Sequence, residues 1–454
     1  MSLMLKGYDG TGTFSHGIHP PDYKDLSKDA AIRVMATPKR VVLSLHQNIG
    51  APCASVVKSR QSVAWGEVIG KGSTFVSARL HASVPGVVQR PMRMTLANGR
   101  HMDTLPIKTE GDIPADQALW DEIFGGVWPT TGLDTYDPAD ISQAISDGGL
   151  VGMGGAAFPT HVKISPSDKK PVHTLIVNGC ECEPYLTSDY RLMMEAPAPI
   201  VTGAMLAARS LGAERIVIGV EDNKLPAVES LRKAADGTGV QVAVVKTKYP
   251  QGSEKHLVQA VLKRQVPLGG LPSDVGAAIS NVGTMAAVAR AVIHGKPLTH
   301  RVISVTGGGI VKPANVLAPI GISFGELIDF CGGLTPDAAR LVAGGPMMGF
   351  AFTNLDTPVT KGTSGLTVMS ADEVKAGEET TCVRCGKCVD ACPMHLVPTK
   401  IAMAARNEDI ELSRRYHIMA CFECGSCAYT CPAHIPLVQL IRAGKTRVTA
   451  AERG

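Results

Sequence analysis

The stretch CVRCGKCVDACP (residues 382–393) and its second copy CFECGSCAYTCP (421–432) decide the C-terminal fold. Each run spaces its cysteines as C-x2-C-x2-C-x3-C and follows the last with proline, at Pro393 and Pro432. Three close thiolates can wrap one face of a cubane of iron and sulfide, while the fourth, just before proline, reaches to the other cluster. Cys382, Cys385, Cys388 and Cys431 are therefore assigned to one [4Fe–4S] cluster, and Cys421, Cys424, Cys427 and Cys392 to a second. Zinc ribbons pair two C-x2-C hooks and have no use for a third cysteine at that interval or for the proline. The chain is thus read as a carrier of single electrons.

The two runs resemble those of bacterial two-cluster ferredoxins. The 28 residues between Cys392 and Cys421 exceed the gap in the smallest of these, so a helical variant is expected, with a helix at 398–407 opening on Pro398. The polar stretch 372–379 reads as a linker.

Working outward, 454 residues give room for about three or four domains. Scarce aromatic residues (4%) beside 48 Gly and 30 Pro favour turns over long helical bundles. A net charge of +4, spread along the chain, excludes a nucleic-acid patch. Oxygen-sensitive cluster ligands imply a reducing compartment, and Cys53, Cys180, Cys182 and Cys331 read as packed or unassigned thiols. The start MSLMLKGYDGTG lacks the apolar core and cleavage site of a signal peptide, and no run reaches the ~20 apolar residues of a membrane span. The chain is expected to meet a membrane only through partners.

Residues 1–30 read as irregular. From 33 to 108 the pattern is β, with Val41, Leu43 and Leu45 in alternation and Asn98-Gly99 as a hairpin turn between 92–96 and 102–107. The stretch SARLHASVPGVV (77–88) is similar to the hairpin of biotinyl and lipoyl carrier domains, but it holds no lysine to modify. It implies a barrel-sandwich module used for packing. Between 110 and 300 strands at 173–177, 215–220 and 240–245 alternate with helices near 225–235 and 253–264, which argues an α/β domain whose ligands sit where loops leave strand ends. Short β elements and glycine pairs return at 301–365, as in a β-grasp module.

Cluster electrons move singly, so a two-electron donor needs a converter, for which a flavin is the usual choice. The candidate is GMGGAAFPT (152–160) with Lys163 beyond it. Glycines let backbone lie against a flat ring or a phosphate, and the amides of a following helix can hold the phosphate. On these residues alone, a plain turn before a helix remains the competing reading, as solvated loop acids do for Glu181 and Glu183. No Ser-His-Asp array, P-loop or G-x-G-x-x-G after a strand appears, so nicotinamide binding is expected to be of a non-Rossmann kind.

Four segments in order resemble the flavoprotein subunit of respiratory complex I: 152–163, NGCECEP (178–184), YPQGSE (249–254) and NVGT (281–284). With GIHPPDYKDLS (17–27), HQNIGAP (46–52) and the double cysteine run, the chain resembles the RnfC proteins of Rnf electron-transport complexes over almost its whole length. The resemblance implies a multidomain α/β and α+β fold: a barrel-sandwich module (1–108), an FMN/NADH-binding α/β domain (109–300), a small SLBB-like β-grasp module (301–370) and a helical two-cluster ferredoxin domain (371–454). It further implies that Gly152, Gly154, Gly155 and Lys163 hold FMN, that Asn178, Gly252, Asn281 and Thr284 add polar contacts, and that Phe158 supports a ring by stacking. Glu181, Glu183 and Glu254 would orient the nicotinamide or its ribose. Met153 stands where complex I has arginine, and Ser253 replaces the first acid of a Gly-Glu-Glu. Some members carry long basic tails, whereas this chain stops at Gly454.

The implied activity is exchange of electrons between NAD(H), FMN and two [4Fe–4S] clusters as the peripheral component of an ion-translocating NAD:ferredoxin oxidoreductase. It would sit on the cytoplasmic face of the cell membrane beside other Rnf-type subunits and a ferredoxin-linked partner. Two alternatives are a flavin/iron–sulfur cobalamin (corrinoid) reductase and a non-catalytic adaptor that only wires other subunits together.

Overall fold

The computed structural model describes residues 9–165, 170–374 and 377–452. The start of the chain read for a leader (1–8) lies outside the described residues, as do 375–376 of the 372–379 linker.

Apolar β-branched runs build a five-stranded sheet at the centre. The strands Asp9–Gly12, Gln241–Val245, Arg215–Glu221, Thr174–Asn178 and Ala277–Asn281 lie side by side in that order, all parallel. Val177, Val217, Ile218 and Ala243 are fully buried, as expected of strands covered on both faces. From Thr174–Asn178 the chain winds to one side through two strands, then jumps back to place Ala277–Asn281 on the other side. That reversal is a topological switch point, where loops leaving neighbouring strands diverge and open a crevice. Asn178 and Asn281, register partners across it, stand at the two strand ends.

The N-terminal segment departs from the irregular reading. Asp9–Gly12 adds an edge strand to this sheet, while Arg33–Val34, a strand within the stretch read as β, joins the sheet of the third module rather than the barrel sandwich. No apolar alternation in the sequence announces Asp9–Gly12. The alternation read at Val41, Leu43 and Leu45 also gives way: Val42 is only 5% exposed, so Arg40–Ser44 is covered on both faces. The hairpin at Asn98-Gly99 forms as read, between Met92–Thr95 and His101–Thr109, with Gly99 at φ 80°.

Two small sheets make the barrel sandwich, one of them carrying Leu80–His81 and the other Gly86–Val88. The third module is a six-stranded sheet closed by the helix Phe324–Phe330, which a reciprocal Ser323–Glu326 capping box starts. The C-terminal module is helical. Pro398–Arg406 begins on its proline, and Ile410–Arg415 fills the long interval between the cysteine runs.

Candidate functional site

The glycine loop sits at the mouth of the switch-point crevice. Val151 and Pro159 form a β-bridge, Phe158 offers its carbonyl to Gly152 N at 2.8 Å, and Met153 N donates to Thr284 Oγ1 at 2.9 Å. Asn281 caps the next helix, Val282–His294, by accepting from Gly283 N and Thr284 N. A Cβ on Gly154 would approach the Asn281 side chain at 3.3 Å. Gly155 instead has φ 122° and nothing within 4 Å of where a Cβ would be, so one face of the loop is bare backbone beside open space. Such a face suits a flat ring or a phosphate. The loop's flanks come from two other modules: Ile49 N donates to Ala157 O at 3.0 Å, and a Cβ on Gly362 would lie 3.2 Å from Ala157.

Lys163, on the short helix Thr160–Ile164, forms an ion pair with Glu254 at the start of Glu254–Leu262. That helix ends two residues before the 264 read from the sequence, because Lys263 turns left-handed at φ 58°. Asn178 binds the facing segment, its Nδ2 donating to Gly252 O at 2.7 Å and its Oδ1 accepting from Cys180 N at 3.0 Å. Gly152, Gly154, Gly155, Lys163, Asn178, Gly252, Glu254, Asn281 and Thr284 are thus tied into one crevice by contacts among themselves and their loops. Phe158 joins them through its backbone.

Glu181 and Glu183 are engaged elsewhere. Glu181 accepts from Ser188 Oγ, Asp189 N and Tyr190 N, holding the first turn of Ser188–Glu195. Glu183 accepts from Met347 N at 3.2 Å and Met348 N at 2.9 Å, in the third module. Burial pushes its carboxyl up to about 7, against the pull of those two amides.

Several residues of the site carried no role in the sequence reading. Lys24 is buried, and its ammonium donates to the carbonyls of Glu181, Glu183 and Leu186 at 2.9, 2.9 and 2.5 Å. Burial lowers its pKa. Asp189 accepts from Asn281 Nδ2 at 2.6 Å, and burial with neighbouring Glu181 raises it to about 7. Lys24 lies in the 17–27 segment that carried the family resemblance, and that was the available signal. Burial also raises the thiols of Cys180 and Cys182, which keeps them protonated; Cys180 faces Gly219 O and Cys182 accepts from Gly252 N at 3.3 Å.

Cysteines of the two runs approach one another in the C-terminal module. Cys392, Cys421, Cys424 and Cys427 line one cavity in the C-terminal module, with Leu396, Ile401 and Ile441 around them. Cys388 lies close enough to Cys431 for their charges to interact. Backbone N–H groups point at the sulfurs, Leu396 N at Cys392 and Glu423 N at Cys421, each at 3.4 Å. Among the described residues no group of three His, Cys, Asp or Glu side chains is placed to hold a metal ion. The four sulfurs surround a cavity instead, a donor set that fits a multi-iron cluster better than one tetrahedral ion.

The crevice and this cavity share a wall. Cys182 packs with Tyr249, Met347, Phe422 and Cys424, and Tyr249 Oη donates to Cys424 O at 2.7 Å. His256 binds Pro393 O at 3.0 Å. The segment 249–254 therefore touches Asn178 at one end and the second cysteine run at the other.

Four families match along the chain: the RnfC barrel sandwich hybrid domain over 12–112, the Nuo51 FMN-binding domain over 145–290, the SLBB domain over 302–351 and the 4Fe-4S dicluster domain over 381–435. They give the fold class read from the sequence and the cofactor classes FMN and [4Fe–4S]. Among curated relatives, the C component of the proton-translocating ferredoxin:NAD(+) oxidoreductase complex of Clostridium ljungdahlii is 41% identical over 99% of this chain and 95% of its own. The C component of the Na(+)-translocating ferredoxin:NAD(+) oxidoreductase complex of Acetobacterium woodii is 40% identical over 97% of this chain and 98% of its own. Among solved structures, an NAD+-reducing [NiFe]-hydrogenase in the H2-reduced state aligns with 71% of this chain and 64% of its own, at 21% identity and a TM-score of 0.49.

Proposed function

This chain belongs to the RnfC family, the C components of ion-translocating ferredoxin:NAD(+) oxidoreductase complexes, and on that premise we propose that it is their NAD(H)-facing electron-transfer component. The carrying observation is the shared wall: Gly252 meets Asn178 in the glycine-loop crevice, while Tyr249, three residues earlier, meets Cys424. Electrons delivered at the crevice have a short, buried way to the second cysteine run.

When bound, FMN accepts a hydride from NADH and releases electrons singly to [4Fe–4S] clusters. The chain's own residues do the placing. The bare backbone at Gly152, Gly154 and Gly155 would lie against the flavin, Lys163 would meet its phosphate, and Asn178, Gly252, Asn281 and Thr284 would give it polar contacts. Phe158 would support a ring. Glu254, freed from Lys163 by a phosphate, would accept from a ribose hydroxyl. Glu181 and Glu183 act here by holding the loop that frames the nicotinamide. Cys382, Cys385, Cys388 and Cys431 would hold one cluster, and Cys392, Cys421, Cys424 and Cys427 the other.

Among the described residues no helix is long and apolar enough to cross a membrane. In the proposed reading, ion movement belongs to other proteins of the complex. The relatives named for protons and for sodium are 41% and 40% identical, so similarity to this chain does not select the coupling ion.

The test is anaerobic reconstitution with FMN and iron quantified, followed by NADH oxidation with an artificial acceptor. About one flavin and eight irons per chain are expected. A Lys163→Ala, Glu254→Gln double variant should lose flavin and NADH oxidation together. Wild-type protein that bleaches no flavin on adding NADH would leave the adaptor reading in its place.

A further inference from the structure

The two cysteine runs are the same motif in opposite surroundings. In the second, Cys424 is 9% exposed and Ser426 is fully buried. A Cβ on Gly425 would strike the carbonyl of Met347 at 2.7 Å. Glu423 is neutralised there by Arg442 and Lys445, each at 2.8 Å, and Arg442 also lies over the Phe350 ring. The third module and the 249–254 segment therefore cover this run.

The first run is covered only over its second half, where Cys388 and Cys392 are as buried as Cys424, Ala391 packs with Tyr249 and His256 holds Pro393 O; residues 383–387 have no such cover. Val383 is 65% exposed, and Arg384, Cys385, Gly386 and Lys387 are exposed around it. Gly386 has the same left-handed turn as Gly425 (φ 81° against 86°), yet nothing lies within 4 Å of its Cβ position. Where the covered run has a neutralised acid, this one has Arg384 and Lys387, neither in an ion pair among the described residues. The chain thus shows an exposed valine, an exposed cluster cysteine and two uncompensated cations within five residues.

We propose that residues 383–387 dock a one-electron carrier protein with an acidic face, and that electrons cross the chain's outer boundary there. Building on the function proposed above, the set Cys392, Cys421, Cys424 and Cys427 lies next to the crevice, and the set Cys382, Cys385, Cys388 and Cys431 reaches the surface at Cys385. Each docking moves one electron and no proton. Two such transfers balance the two electrons of one NADH, which becomes NAD+ and releases one proton. The cations attract the acidic face and speed its arrival, and the valine gives a dry contact close to the cysteine that bridges the two proteins.

The experiment uses the full, cluster-loaded chain and two probes: an acidic ferredoxin and a basic cytochrome c. Association is measured at low and high salt without any reductant, and electron transfer is measured separately after reduction. Arg384→Glu with Lys387→Glu should cut ferredoxin association at least about tenfold at low salt, speed cytochrome c, and converge with wild type at high salt. The charge-neutral Arg384→Gln, Lys387→Gln pair should fall between. Iron content must match wild type in each variant. Preference of wild-type protein for cytochrome c, or indifference of both probes to either variant, overturns the docking site. Flavin bleaching by NADH in the same samples reads the proposed function separately, since these residues lie outside the crevice.

Discussion

Two loops meet at the switch point of the central sheet, and they are held in different ways. The acidic loop after Asn178 is pinned from outside itself. Lys24 takes three of its carbonyls, Tyr23 stacks on Tyr185 at 4.7 Å, Asp22 O accepts from Tyr185 N, and Glu183 reaches the third module. The glycine loop has contacts along its flanks and nothing within 4 Å of the Gly155 Cβ position. The acidic loop keeps Glu181 and Tyr185 in the left-handed region, at φ 43° and 70°, and the held flank of the glycine loop keeps Ala157 there, at φ 53°. Such strain persists only where surroundings over-determine the backbone. The contrast assigns the work: one loop is a fixed wall, and the other is a bare seat against it.

The strongest way to break the contrast is Lys24→Met. The methionine keeps the apolar stem but strands three carbonyls that Lys24 satisfies in a buried site. Loss of about 3 kcal/mol of stability is expected, with faster hydrogen exchange across 181–186 and weaker NADH binding. Unchanged exchange in that loop would mean that Lys24 is not its pin.

A smaller effect should follow Gly155→Ala. No atom blocks the new Cβ, so the cost is backbone strain at φ 122°, about 1–3 kcal/mol spent locally. The methyl group would also occupy the open face. Flavin affinity should therefore fall well beyond the change in thermal midpoint. An equal fall of both would show that the face is not the seat.

How much of this was legible in the sequence follows from distance along the chain. The cysteine runs, the hairpin at Asn98-Gly99 and the start of the helix at Pro398 are local: a few neighbouring residues carry the whole physical argument. Asn178, Asn281 and Thr284 were reached through resemblance, and their placement depends on a strand order that no short segment states. Lys24 was out of reach because its partners lie 157 or more residues away, and a lysine beside Asp25 reads as solvated. The same holds for Glu183, whose amide donors lie 164 and 165 residues on. The strand Asp9–Gly12 has the composition of a turn and exists because Gln241–Val245 presents a free edge.

The mildest test concerns pH. Burial raises Glu183 to about 7 from an ordinary 4.5. A carboxyl raised on folding binds its proton more tightly in the native chain, so its contribution is fully present below about pH 4.5 and fades as pH rises through 7. In that window the acidic loop should loosen as charge grows on Glu183; Asp189, also raised to about 7, titrates alongside it, and comparison with Glu183→Gln isolates the Glu183 part. The fall in stability between pH 5 and pH 8 should amount to about 2 kcal/mol, the amides of Met347 and Met348 having already held the rise in check. Glu183→Gln keeps the shape and removes the titration, so its stability curve should be flatter than wild type by that amount. Parallel curves would show that Glu183 enters the folded chain already ionised, with the two amides outweighing burial.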